Sequence, residues 1–345
     1  MPTTYAIPDG RTVMAATTYT GNGGSVSISN AVNGVSFQPD FVWIKNRAAA
    51  VNHQLQNSNA GWQYGLNSNT TSAEYSDANA ITGSTSSGWS MNNNYNSHNQ
   101  SGVSYVGWNW KAGGTAVSNT NGSITSSVSA NTTAGFSVVT YTGTGANATV
   151  GHGLGVAPKM VIVKRRDAVN DWAVWHTAIT GGQYLLLDTT GAVGTDTGIW
   201  NNTTPTSTVF SVGTASNISN ANGGTYVAYC FAAVAGYSAF GSFVGNGSAD
   251  GPFAYLGFRP RFVMFKDATT AGGYWEIHDT SRSTYNATTA RLWPNVSSAE
   301  ATGADIDFLS NGFKIRTTDG TINNSGSTVI YMAFAESPFK FANAR

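Results

Sequence analysis

The chain has 345 residues, with 17 Lys+Arg balancing 17 Asp+Glu and only 10% of positions charged. A neutral balance offers no basic excess to release phosphate counterions and no Lys/Arg face for a lipid surface, so neither nucleic-acid binding nor membrane insertion is expected. Forty glycines predict turns throughout, while 41% apolar and 12% aromatic residues can fill a core, which argues against global disorder.

Residues 1–17, with Pro2, Pro8 and Asp9-Gly10, form an N-terminal arm too short for a domain. It suits docking on a neighbour or a frayed terminus. The stretch carries no basic segment followed by an apolar one, so no signal peptide is expected and synthesis in the cytosol is the default. From Thr18 a pattern begins that occurs three times. Each copy opens on an aromatic residue and a Gly-x-Gly turn: Tyr19 with Gly21 and Gly23, Tyr141 with Gly143 and Gly145, Phe243 with Gly245 and Gly247. A proline-led stretch ending in lysine follows, Pro39 to Lys45, Pro158 to Lys164 and Pro260 to Lys266. Beyond it come His53, His176 and His278, then Trp89, Phe210 and Phe313, then a closing segment at Tyr105 to Trp110, Tyr226 to Phe231 and Val329 to Phe334. The step from Pro158 to Pro260 equals that from His176 to His278, so copies two and three hold one phase.

The apolar bursts are of strand length, bounded by Gly, Asn, Asp or Pro, and rich in aromatic and β-branched residues. Alternation of Val161 and Val163 with Ile162 and Lys164 predicts a half-buried strand. The expected fold class is all-β, as three tandem antiparallel β-sandwich modules of jelly-roll or lectin-like type. A propeller is the main rival, and no half-copy repeat supports it. The expected division is an arm at 1–17, a first module at 18–112, a linker at 113–135 in which Ser123 to Val128 could add an edge strand, and further modules at 136–236 and 237–340. The single cysteine, Cys230, excludes an intramolecular disulfide and a Cys-based zinc cluster. The longest apolar-biased run, Tyr226 to Phe240, is too short to span a bilayer.

Chemistry-bearing residues are sparse. The three histidines read as repeat-equivalent and structural, because aromatic neighbours (Trp172 and Trp175, Tyr274 and Trp275) can bury a ring whose proton goes to a backbone carbonyl. No second ligand recurs beside them, so no metal and no cofactor is expected. Glutamate occurs only at 74, 276, 300 and 336, and Asp305 with Asp307 is the one acidic pair on a shared strand face. No Gly-x-Ser-x-Gly elbow appears, and the reading is of a non-enzyme. The Gly-x-Gly pairs precede strands, so they read as turns and not as a phosphate cradle. Trp200 and Trp293 stand among Asn, Thr and Pro, where an exposed ring would stack on a sugar or anchor a subunit interface.

The phrases Thr18-Thr-Tyr-Thr-Gly-Asn-Gly, Gly151-His-Gly-Leu-Gly-Val-Ala-Pro158 with Lys-Met-Val-Ile-Val-Lys164 after it, and Gly257-Phe-Arg-Pro-Arg-Phe-Val-Met-Phe-Lys266 resemble the repeat-bearing virion structural proteins of tailed bacteriophages, often termed tail-fibre or minor tail proteins. The likeness runs from about Pro2 to Arg345. Copy one departs from it at Gly34-Val-Ser-Phe-Gln-Pro39, and copy three keeps only Gly257 and Pro260 of the His-Gly-Leu-Gly phrase. The resemblance implies a structural role in a virion assembled in the host cytoplasm, with other virion proteins and copies of itself as partners, a homotrimer among the arrangements. Host surface glycan is a further contact it suggests. It supplies no catalytic residues. A capsid decoration protein and a carbohydrate-binding adhesin are the alternatives.

Overall fold

A computed structural model describes residues 4–214 and 217–338, with the backbone alone at 304, 305, 337 and 338. The proline-to-lysine stretches are strands Phe41–Asn46, Met160–Arg165 and Phe258–Asp267. They are buried on both faces and not on one, because a second hydrophobic layer covers each side of the sheet they lie in. Four strands recur around each of them in one antiparallel order. In lobe one the order is Met14–Thr20, Ser104–Trp110, Phe41–Asn46, Gln54–Asn57; in lobe two Phe136–Thr142, Thr225–Phe231, Met160–Arg165, Trp172–His176; in lobe three Ser238–Val244, Thr328–Pro338, Phe258–Asp267, Glu276–Asp279. Registers coincide as well: Tyr19 faces Tyr105, Tyr141 faces Tyr226 and Phe243 faces Val329, while Lys45, Lys164 and Lys266 face Val106, Val227 and Ile330.

A smaller antiparallel layer covers the outer face of each large sheet. It contains Gly88–Asn92 in lobe one, Val209–Val212 in lobe two and Gly312–Ile315 in lobe three. An equivalent edge-to-face aromatic pair joins each layer to its large sheet, Tyr19 with Trp89 at 5.9 Å, Tyr141 with Phe210 at 6.0 Å and Phe243 with Phe313 at 5.9 Å, and in lobe three Phe313 also meets Phe265 and Tyr331 edge-on at 5.1 and 5.2 Å. The Gly-x-Gly turns follow from packing. A Cβ on Gly21, Gly143 or Gly245 would collide with a neighbouring backbone carbonyl, and Gly23, Gly145 and Gly247 have φ of 73°, 74° and 67°, which glycine adopts without strain. Buried Asn99, Asn220 and Asn323 accept from the backbone N–H between the two glycines at 3.0, 2.8 and 2.9 Å.

The inner faces of the three large sheets meet in one core. Trp110 at its centre touches Phe41 of its own lobe, Phe136 and Phe231 of lobe two, and Phe262 and Phe334 of lobe three, with ring centroids between 5.5 and 6.4 Å apart. The expected antiparallel sandwiches are present, with separate cores between the two sheets of lobe one and of lobe two, and the shared cluster is a further core that joins the three lobes. Within the expected linker 113–135, the edge strand allowed for at Ser123 to Val128 is present as Ser126–Asn131, and with Val117–Asn119 it widens the large sheet of lobe two, pairing onward to Phe136–Thr142, so the stretch belongs to that lobe. Likewise the described part of the arm, residues 4–17, belongs to the fold. Met14–Thr20 begins inside it, Ile7 and Val13 are buried in the shared core, and Gly10 lies against the backbone of Ala335 in lobe three.

The seams between lobes repeat cyclically. Trp172 donates its indole N–H to the Asn67 carbonyl of lobe one at 3.0 Å, Trp275 to Leu186 of lobe two at 2.8 Å, and His53 donates Nε2–H to Trp293 of lobe three at 3.0 Å. Backbone bonds close the same seams: Glu74 to Arg166 at 2.7 Å, Val193 to Ala268 at 2.8 Å, Glu300 to Arg47 at 2.9 Å. Two seams add a charge pair, Arg166 with Glu74 at 2.6 Å and Arg47 with Glu300 at 2.7 Å, where the third has the apolar pair Val193 and Ala268. The ring therefore has pseudo-threefold order with distinct seams.

Candidate functional site

The histidines of the three copies occupy different places in the sheets. His53 lies one residue ahead of the strand that pairs with Phe41–Asn46, His176 faces Met160 and His278 faces Val263. By register, the counterparts of His53 are Trp172 and Trp275, those of His176 are Asn57 and Asp279, and those of His278 are Gln56 and Trp175. The hairpin after Lys266 is one residue longer than that after Lys164, which turns His278 to the opposite face despite its equal spacing along the chain. All three are buried. Trp43 donates to Nδ1 of His53 at 2.9 Å, and His176 donates Nε2–H to the Tyr331 carbonyl at 3.1 Å while its Nδ1 accepts from Ala178 N–H at 3.1 Å. Burial pulls His53 down to about 3 and His176 to about 4, so both rings are neutral near pH 7. His278 is hydrogen-bonded to Glu276 at 2.7 Å inside lobe three. Among the described residues no group of three or more His, Cys, Asp or Glu side chains is placed to hold a metal ion.

Trp200 is corrected from an exposed platform to a core residue. The helical turn Thr197–Trp200, capped by Asp196, folds over lobe two and leaves the indole only 2% exposed. Trp293 is half-buried, donates to Glu276 at 3.2 Å, and has the Arg291 guanidinium 5.4 Å from its ring and Tyr274 at 6.0 Å. Asp307 pairs with Arg316 at 3.3 Å, and the side chain of Asp305 lies outside the described residues.

Two of the larger polar clefts involve lobe one. One, of about 780 Å³, lies between lobe one and the start of lobe two over Asp40. That carboxylate accepts from Ser58 and from the Ala112 and Gly114 N–H groups at 3.1, 2.8 and 3.4 Å, and burial raises its pKa against those bonds. The other, of about 670 Å³, lies on lobe one beside Ser297 of lobe three, and its walls carry Tyr75, Tyr95, Asp77 and the amides of Asn52, Asn93 and Asn96. Tyr95 is 58% exposed, and its ring stacks at 6.0 Å and 12° on His98. His98 is in turn fixed by donating Nε2–H to Asn93 while its Nδ1 accepts from the Ser97 hydroxyl at 2.8 Å, and burial pulls it to about 4, so the ring beneath Tyr95 is uncharged near pH 7. Asp77 caps the following turn through the Asn79 and Ala80 N–H groups at 3.0 and 3.1 Å. Among the described residues Asp77 is the only charged side chain lining this cleft. An exposed aromatic among asparagines, the criterion that selected Trp200 and Trp293, would also have selected Tyr95.

The chain is an all-β scaffold of three lobes in pseudo-threefold order, with an open polar cleft on lobe one that carries the Asp77 carboxylate. Residues 10–338 match the family described as Domain of unknown function (DUF7483), and the chain belongs to that family. No curated protein and no solved structure matches it significantly. Among the described residues no helix is long and apolar enough to cross a membrane.

Proposed function

We propose that the protein is a non-enzymatic structural component of a bacteriophage particle, part of a tail fibre or tail appendage that contacts host surface glycan. The observation that carries this reading is the cyclic repetition of seam contacts. Closed symmetric assemblies are the usual way to build rigid particles, and one chain whose three lobes imitate a trimer can occupy a threefold position by itself. Cys230, the only cysteine, is buried with its thiol pushed up to about 12 by desolvation, which suits assembly in a reducing host cytoplasm. Other particle proteins and further copies of the chain are the proposed partners. A binding role fits the cleft better than hydrolysis, because glycoside cleavage uses two carboxylates across one bond and, among the described residues, this cleft has Asp77 alone.

The test is location. Purified particles labelled with an antibody against the chain, viewed by electron microscopy, should carry label at the tail. Label on the head would favour the capsid-decoration alternative, and particles lacking the chain altogether would overturn the proposal.

A further inference from the structure

We propose that the Tyr95 cleft of lobe one binds a neutral pyranose, with the Tyr95 ring as its stacking surface and Asp77 with the surrounding amides as its hydrogen-bond partners. The inference deepens the glycan contact proposed above and rests on that reading for its biological setting. Its physical basis is separate. A pyranose presents an apolar C–H face and an equatorial rim of hydroxyls, so a site for it needs one accessible aromatic face and several fixed polar groups of both donor and acceptor character. Tyr95 supplies the face, and the His98 ring beneath it holds that face in place. Asp77 supplies an acceptor, Asn96 an amide that can donate and accept, and Asn52 and Asn93, whose side-chain oxygens accept from Asn69 and His98, supply NH₂ donors. The Tyr75 hydroxyl adds a further group that can donate and accept. The volume of about 670 Å³ lies within the range of roughly 300–1,000 Å³ common for small-molecule sites.

Charge narrows the ligand. Among the described residues the cleft walls hold no Lys, Arg or His, so an anionic sugar would meet the Asp77 carboxylate with no compensating cation. The pseudo-symmetry points to the same place. Asn99 donates its backbone N–H to the Tyr95 carbonyl at 2.9 Å, and its counterpart Asn323 donates to Asp319 at 2.9 Å, so Asp319 stands in lobe three where Tyr95 stands in lobe one. Asp319 is tied to Arg291 at 3.0 Å, replacing the aromatic face by an ion pair. The corresponding position of lobe two, residue 216, lies outside the described residues. Of the two described copies of this turn, that of lobe one carries an exposed aromatic residue and that of lobe three an ion pair.

The experiment is weak-affinity chromatography of the full chain on immobilised neutral oligosaccharides (dextran, mannan and galactan fragments) and on acidic ones of matched length (alginate and polygalacturonate fragments). Retention on at least one neutral series is expected. It should be at least tenfold weaker for Tyr95→Ala, preserved by Tyr95→Trp, and unchanged by Trp293→Ala. Asn52→Arg, placed on the exposed rim, should also weaken retention by obstruction, which keeps the test open should Tyr95→Ala misfold. Retention on no neutral series, on acidic series alone, or unaffected by both Tyr95→Ala and Asn52→Arg would overturn the inference. These outcomes are separable from the particle assignment. Tail label without Tyr95-dependent retention removes the site and leaves the particle role; Tyr95-dependent retention by a chain absent from particles does the reverse.

Discussion

Trp110→Ala should destabilise all three lobes together. Its indole is 1% exposed and sits among five aromatic rings contributed by every lobe. A tryptophan buries at most about 250 Å², worth about 6 kcal/mol at 25 cal/mol/Å², and large aromatic truncations in cores cost about 3–5 kcal/mol because the cavity only partly collapses. Its Nε1 has no hydrogen-bond partner, so no polar contribution is added. With an unfolding entropy of about 2.1 cal/mol/K per residue, 345 residues give about 0.7 kcal/mol/K, and the truncation lowers Tm by about 4–7 °C. Differential scanning calorimetry should show one transition in the parent and one, shifted down, in the variant. A shift confined to one of several separate transitions, or a fragment 136–236 that folds alone with a cooperative melt, would refute the shared-core reasoning.

Three further outcomes follow from the same contacts. Burial holds His53 near 3 and both His98 and His176 near 4, whereas the unfolded chain titrates near 6.5; the folded state therefore loses stability as pH falls below about 6.5, by about 2 kcal/mol per histidine at pH 5, and urea midpoints at pH 7.5 and pH 5 that agree would contradict this. Gly143→Ala should cost about 1–3 kcal/mol, since its Cβ meets the Ala221 carbonyl, and Gly145→Ala about 1 kcal/mol through its φ of 74°; thermal melts showing either variant more stable than the parent would sink the packing account of these turns. Trp275→Phe should be more damaging than Trp110→Phe by about 1–3 kcal/mol, because it strands the Leu186 carbonyl across a seam while Trp110 makes no hydrogen bond to lose, and equal denaturant midpoints for the two variants would argue that the seam bond is not formed.

Strand character was legible in the chain because aromatic and β-branched bursts between glycines admit few other structures, and each proline-to-lysine stretch is a strand. Burial on both faces was not. A single sequence shows Lys164 as a polar residue and cannot show that its ammonium donates to Thr71 of another lobe at 2.9 Å. The histidine phase misled for a definable reason: equal spacing along the chain does not fix register when a hairpin gains one residue, and in a strand one residue is a change of face. Trp200 misled because its polar neighbours belong to a capped helical turn whose apolar side is turned inward. At the cleft, Tyr95 stood in plain view beside its asparagines. Its partner His98 and the approach of Asp77 depend on folding of the loops.

The seams bear on why three lobes belong to one chain. In a homotrimer every seam is identical, so a residue gained for recognition appears three times and must be tolerated three times. Here the seams differ: Arg166 with Glu74 and Arg47 with Glu300 are ion pairs, and Val193 against Ala268 is apolar. The lobes differ too, for lobe two alone carries the added strands Val117–Asn119 and Ser126–Asn131, and Asp319 of lobe three stands where lobe one has Tyr95. What stays common is the aromatic centre, the glycine turns and the carbonyl-capped seam donors, which are the contacts a closed ring cannot lose. Linking the copies keeps those shared constraints while releasing the outer loops from symmetry, and the cleft of lobe one is where that release has placed an accessible aromatic face.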